Sequence, residues 1–231
     1  MLGIIGAMQV EVNALRAVMT DQETANVSGM EFVRGKLHGH EVVAVVCGEG
    51  KVAAAICAQT LILKYNVDAV INTGVAGTLC DELGISDVAI ATDVVQHDMD
   101  VTAMGYPVGQ IPCLDVLKIP CDEGMVAALE RAVQANDRNY RKGTIATGDL
   151  FIHSEERRHF IVSNFDAIAG EMEGGAIGQV CYMNKVPFVV LRTMSDDASG
   201  NAPASFETFA GEAAELACAI VGCFVKEWEV A

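Results

Sequence analysis

Carboxylates set at the ends of apolar stretches are the side chains in this sequence with the clearest chemical use. Glu171-Met172-Glu173 follows the apolar run Ala167-Ile168-Ala169-Gly170 and precedes a series of small residues. Ser195-Asp196-Asp197 follows the apolar segment 186–191, and Glu11 lies just past the apolar stretch Leu2–Gly6. In α/β folds, ligands gather where strands end and loops begin, so acids in these places are site candidates. Two carboxylates in different environments can divide acid and base work. One is held protonated by burial, while the other stays ionised to take a proton from water. The plainer use of any one of these acids is a helix N-cap or a first-turn charge.

Other constellations are weaker. Gly48-Glu49-Gly50-Lys51-Val52-Ala53 fits G-x-G-x-x-A, with Asp68 about 20 residues on, as a dinucleotide fingerprint would require. Glu49 would oppose the helix N-terminal field that binds pyrophosphate, so a tight strand-to-helix turn is the simpler reading. A P-loop is excluded, because the four-residue spacer and the Ser or Thr after the lysine are missing. His38 and His40 flank a glycine in an expected hairpin turn and lack a third ligand. His97 with Asp98 and Asp100 has ligand types but no fixed geometry, so no metal is assigned. There is no Gly-x-Ser-x-Gly elbow, and no cysteine has an identifiable histidine partner. No cofactor is expected.

The elements that must position the acids alternate along the whole chain. Leu2–Gly6 reads as a strand leading into a helical pattern through Val10, Ala14, Leu15 and Val18. Segments 31–37 and 41–47 read as a β-hairpin, and 52–65 as a helix. Strands are expected over 69–72, 88–95, 143–146, 167–170 and 186–192. Helices are expected over 122–134, 154–162 and 173–183, with Ser205 as N-cap of a last helix reaching about Trp228. No linker or repeat interrupts the series, so 1–231 is read as one α/β domain with a mostly parallel sheet and some antiparallel pairing. Segment 96–121, with Gly105, Pro107, Gly109, Pro112 and Pro120, is long for a connection and reads as a lid, binding loop or partner contact.

Composition bounds the partners. The 231 residues are 52% apolar, with a mean hydropathy of +0.33, which suits a buried core and excludes general disorder. Fifteen Lys and Arg stand against 31 Asp and Glu, a net charge of −16, and such a field repels nucleic acid and polyphosphates. The eight cysteines show no Cys-x-x-Cys pair, and several lie in apolar runs, as reduced thiols do in a cytoplasmic protein. The first cation is Arg16, so no signal peptide is expected. No apolar stretch is read as long enough to span a membrane.

Taken together, the segments resemble the nucleoside phosphorylase/nucleosidase superfamily, most closely its nucleosidases for 5′-methylthioadenosine and S-adenosylhomocysteine. The matching stretches are Gly3-Ile4-Ile5-Gly6-Ala7-Met8 with Glu11, Gly48 to Ala54, and Asn72-Thr73-Gly74-Val75-Ala76-Gly77. They continue with His97 to Ala103, Thr147 to Ile152, Glu171-Met172-Glu173, Arg192 to Asp196, and Ser205-Phe206, in family order. The resemblance implies a three-layer α/β/α fold with a mixed, partly barrel-like central sheet. It also implies a homodimer and cofactor-free hydrolysis of the N-glycosidic bond of 5′-modified adenine nucleosides. Asp196 matches the residue that protonates adenine N7, with Ser195 and Arg192 beside it. Glu11 matches the residue that activates water, and Glu173 the one that holds the ribose hydroxyls. Phe151 and Ile152 match the adenine pocket, and Met8, Met172 and Phe206 the ribose and 5′ side. Val101, Met104, Tyr106 and Pro112 match the 5′-substituent pocket, to which the loop 104–112 of the neighbouring subunit contributes.

The sequence departs from the family at four positions. Val75 stands where serine is usual, and Thr78 where a glycine is usual. Glu49 replaces an isoleucine near the 5′ side, and Met104 a phenylalanine. The loss of the serine weakens a phosphorylase reading, and Glu49 bears on 5′ preference unless it turns to solvent or pairs with Lys51. The alternatives are a hydrolase of 6-amino-6-deoxyfutalosine or a related nucleoside, a purine nucleoside phosphorylase, and a paralogue that only binds nucleosides.

Overall fold

A computed structural model describes residues 1–197 and 202–228 of the chain. It opens on β1 (Leu2–Gly6), whose five residues are all buried, followed by a 3-10 turn over Gln9–Glu11 and the short α1 (Asn13–Val18). Three strands joined by tight turns come next: β2 (Thr20–Val27), β3 (Met30–Leu37) and β4 (His40–Val46). Then follow α2 (Lys51–Tyr65), β5 (Ala69–Thr78) and β6 (Val88–Gln96). A long connection with one 3-10 turn at Thr102–Met104 leads to the two-residue β7 (Ile119–Pro120). The remainder alternates: α3 (Glu123–Ala135), β8 (Tyr140–Thr147), α4 (Glu155–Phe165), β9 (Ala167–Glu171), α5 (Gly174–Asn184), β10 (Phe188–Asp196) and α6 (Ala202–Lys226).

The strands form one mixed sheet that closes on itself at one end. β5, β10, β6, β8 and β9 make a five-membered ring, because β10 pairs with both β5 and β6 while β9 returns to β5. Beyond the ring the sheet runs out through β1, β4, β3 and β2. One face is covered by α2 and α5, with Cys57, Leu61 and Ile177 fully buried against Val43, Val45 and Val70. The other is covered by α3 and α6, where Leu129, Val221 and Phe224 meet Leu2, Ile4 and Ile90. Removing each such side chain from water contributes roughly 1.5–3 kcal/mol. Helix α4 packs Ile161 and Phe165 against the ring at Val95 and Ala146. This is the three-layer, partly barrel-like architecture expected from the sequence.

The elements differ from the sequence expectations in instructive ways. β2, Thr-Asp-Gln-Glu-Thr-Ala-Asn-Val, has no apolar alternation because it is a charged, exposed edge strand, the usual defence against edge-to-edge pairing. β5 runs six residues past 72, and β10 four past 192, as each strand pairs with the other through its polar end. Ser205 is not an N-cap. Helix α6 already runs from Ala202, with Pro203 in its first turn, where a missing N–H is tolerated. The reading that no stretch could span a membrane is corrected by α6, whose length and mean hydropathy of 1.5 over 18 residues would suffice. In the fold, its Ala217, Ile220, Val221 and Phe224 are spent on the protein core.

Candidate active site

The carboxylates singled out in the sequence converge on one cavity of about 530 Å³. It opens where β1, β4, β8, β9 and β10 end, beside the C-terminal part of β5 that pairs with β10 and β9. Glu11, Glu173, Ser195 and Asp196 line it, with Met8, Glu49, Val75, Phe151, Ile152, Met172 and Phe206. The sequence reading did not single out Leu150, Pro203 and Glu207, which also face the cavity.

Glu11 is delivered by the 3-10 turn after β1 and is 3% exposed. Its Oε2 accepts the backbone N–H groups of Ala7 at 2.7 Å and Met8 at 2.8 Å, and Oε1 accepts that of Val75 at 3.1 Å. Burial raises its pKa, while the charge of Arg192 and the three N–H donors oppose the rise. Gly74 must be glycine for this approach, since a Cβ there would fall 2.5 Å from Glu11 Oε1. Val75, at the position where the family has serine, contributes to Glu11 through its backbone N–H, which serine and valine share.

Behind the cavity lies a buried ion network. Arg192, 1% exposed, donates from Nη2 to Asn72 Oδ1 at 2.6 Å and pairs with Glu171, and its Nη1 donates to the Leu191 carbonyl at 3.0 Å. Glu171 also accepts the Thr147 hydroxyl and, through Oε2, the N–H groups of Glu173 at 3.0 Å and Gly174 at 2.7 Å. Arg192 was expected to touch substrate, but it does not line the cavity. Its reach is taken up by Glu171 and Asn72, so it acts on the site through the carboxylates. Glu173 Oε1 accepts the Gly50 N–H at 2.8 Å, and Gly50 adopts φ +95°, a conformation that favours glycine. Burial first, then the charge of Glu171, pushes the Glu173 carboxyl up to about 7.

Asp196 ends β10 and is 3% exposed. The register of β10 on β5 shifts between Met194 and Asp196, and at this bulge Ser195 and Asp196 both face the cavity. Ser195 Oγ donates to Asp196 Oδ2 at 3.0 Å. Across the mouth, Phe151 and Phe206 meet edge to face, with centroids 5.7 Å apart. Glu49 is exposed at the rim and is not the partner of Lys51, whose Nζ is 2.7 Å from Asp98.

Val101, Met104, Tyr106 and Pro112 do not line the cavity of their own chain. Met104 is 71% exposed, and Tyr106 and Pro112 are also at the surface. His38 sits in the β3–β4 turn at φ 51°. His97 is buried, and burial lowers its pKa and favours the neutral ring. Among the described residues, no three His, Cys, Asp or Glu side chains are grouped as a metal would need. The cavity lining there carries six carboxylates, Glu11, Glu49, Glu171, Glu173, Asp196 and Glu207, and no Lys, Arg or His.

Comparisons with known proteins bear on the family and the fold. The family model of the phosphorylase superfamily matches residues 1–226. The 5′-methylthioadenosine/S-adenosylhomocysteine nucleosidase of Staphylococcus haemolyticus is 44% identical over 227 residues, covering 98% of this chain and 99% of that protein. The crystal structure of the Neisseria meningitidis nucleosidase of the same name, in complex with methylthio-immucillin-A, aligns at a TM-score of 0.96. It is 36% identical over 98% of this chain and 99% of that one. The native futalosine hydrolase of Helicobacter pylori aligns at 0.94 with 35% identity, over 98% and 97% of the two chains. The chain therefore belongs to the phosphorylase superfamily, and within it to the family of 5′-methylthioadenosine/S-adenosylhomocysteine nucleosidases.

Proposed function

We infer that this chain hydrolyses the N-glycosidic bond of 5′-modified adenine nucleosides, 5′-methylthioadenosine and S-adenosylhomocysteine, releasing adenine and the substituted ribose. The observation that carries this reading is the pair Glu11 and Asp196 in one cavity, each almost fully buried and arriving from a different strand.

As the C1′–N9 bond breaks, its electron pair leaves with the base, and positive charge develops on the sugar. In our reading Asp196 donates its proton to adenine N7, which makes the base a neutral leaving group. Water then adds to C1′ and gives its proton to Glu11, held ready by three backbone N–H groups. Two carboxylates on opposite sides of the scissile bond follow the logic of glycoside hydrolysis. Glu173 accepts from the ribose hydroxyls, Phe151 and Ile152 hold the base, and Met8, Met172 and Phe206 enclose the sugar and its 5′ side.

Water is favoured over phosphate as the acceptor. Among the described residues the lining has no cation to set against an inorganic anion, and its carboxylates repel one. Measuring adenine release from both nucleosides, with and without phosphate, tests the reading. Equal rates in phosphate-free buffer are expected, and a phosphate requirement would overturn it. Release only from 6-amino-6-deoxyfutalosine would favour the second reading, for which the likeness to the futalosine hydrolase speaks.

We read the active form as a homodimer. Val52, Ile56, Met104 and Met183 are exposed apolar side chains that a second copy of the chain would cover. Val101, Met104, Tyr106 and Pro112 would then complete the neighbour's 5′ pocket. The eight free thiols, most of them buried or half-buried, suit a reducing cytoplasm.

A further inference from the structure

Three charged side chains next to the cavity line no part of it, yet they join its walls. Asp98 Oδ1 accepts Lys51 Nζ at 2.7 Å, and Asp98 Oδ2 accepts the backbone N–H of Asp149 at 3.0 Å. Asp149 Oδ1 in turn accepts the backbone N–H of Lys51 at 2.8 Å. The three residues thus close a ring of hydrogen bonds between segments 47 and 51 positions apart in the chain. Lys51 Nζ extends it to Gln96 Oε1 at 3.3 Å. Asp98 and Lys51 are 19% and 18% exposed, so their attraction is only partly screened. Burial works against the Asp98 anion, but Lys51 and the Asp149 N–H outweigh it and hold the carboxyl below its usual range.

Each corner of the ring lies beside a different part of the site. Lys51 follows Gly50, whose N–H holds Glu173 Oε1. Asp149 precedes Leu150, Phe151 and Ile152 on the base side. Asp98 opens the long connection that carries Val101 and Met104.

We propose that Asp98 is a positioning residue that, through Lys51 and Asp149, fixes the Gly48–Gly50 turn against the Phe151 loop and so sets the geometry of Glu173 toward the ribose. This rests on the nucleosidase reading. A displacement of about 1 Å in such a frame costs as much as 10²-fold in rate.

The test is a double-mutant cycle on adenine release from methylthioadenosine, with thermal melting as the folding control. Wild-type turnover checks the nucleosidase reading independently of the variants. Asp98→Ala is expected to lower kcat/KM about 10–100-fold, with most of the loss in KM. In a Glu173→Gln background the same change should cost less than threefold, because the group it positions is already disabled. Lys51→Met should reproduce the loss if Asp98→Ala fails to fold, and Lys51→Arg should recover much of it. Unchanged kcat/KM in both Asp98→Ala and Lys51→Met, or losses that multiply fully with Glu173→Gln, would overturn the proposal.

Discussion

Arg192 pairs with Glu171 and leaves Glu173, 3.6 Å away, with only part of its charge. The consequence is a buried carboxylate whose ionised form the fold holds at a cost. Its folded-state pKa of about 7 lies above the unfolded value of 4.5, so the folded chain binds the proton more tightly. Stability must then fall as pH rises from 4.5 to 7 and stay lowered above that. Glu173→Gln removes the penalty while keeping an acceptor for the Gly50 N–H. The variant is expected to be more stable by about 1–3 kcal/mol at pH 8, a gain of roughly 2–4 °C in Tm per kcal/mol. The gain should vanish near pH 4.5. Thermal melts of both proteins across this range check the sign, and an equal gain at all pH values would point to a steric cause.

Glu11 is also raised by burial, so the base for water gains its proton above the ordinary carboxylate range. On acidification kcat/KM should therefore decline earlier than a solvated glutamate would dictate, with Glu11 and Glu173 both contributing to the limb. A pH–rate profile of Glu173→Gln isolates the part that belongs to Glu11. Glu11→Gln should lose about 10²–10⁴-fold in kcat, the usual worth of a positioned general base. A profile that is flat down to pH 4.5 would remove Glu11 from this role.

Asp196 makes a different prediction, because it acts on the leaving base. Asp196→Asn preserves shape and an acceptor for Ser195 Oγ, but it cannot protonate N7. Turnover should fall by about 10²–10⁴-fold, while nucleoside binding, read by calorimetry, changes by less than tenfold. A variant that keeps full turnover would sink the mechanism.

These roles explain what was legible in the sequence. Apolar strands announce themselves, so β1, β6 and the first halves of β5 and β10 could be read directly. The second halves could not, because Thr73, Thr78, Thr193 and Ser195 are polar residues buried in the extensions by which the two strands pair with their neighbours. That polar extension is where Val75, Ser195 and Asp196 reach the cavity. Arg192 was assigned to substrate because the resemblance sets it beside Ser195 and Asp196, but alternation turns Arg192 and Ser195 to opposite faces, and the bulge before Asp196 brings that side chain to the cavity as well. The ring of Lys51, Asp98 and Asp149 was invisible for another reason. Its members come together only when the sheet closes, and each alone looks like a surface charge.

Glu49 is the acid whose use the sequence left open, and its place at the rim narrows the choice. Lys51 is committed to Asp98, so the Glu49 carboxylate faces the cavity mouth, where Glu207 also lies. Two acids there should favour a 5′ substituent that carries an ammonium group over the small apolar methylthio group. Contacts of this kind at exposed sites are worth about 0.2–1 kcal/mol, so the effect is modest. Glu49→Ile is expected to shift the ratio of kcat/KM for adenosylhomocysteine over methylthioadenosine downward by roughly 1.5–5-fold, mostly through KM. The shift should shrink in high salt, since the attraction is screened within a Debye length of about 10 Å at 0.1 M. Including 6-amino-6-deoxyfutalosine in the panel shows whether a different polar 5′ extension is favoured instead. An unchanged ranking across the three nucleosides would mean that Glu49 serves only solvation of the rim.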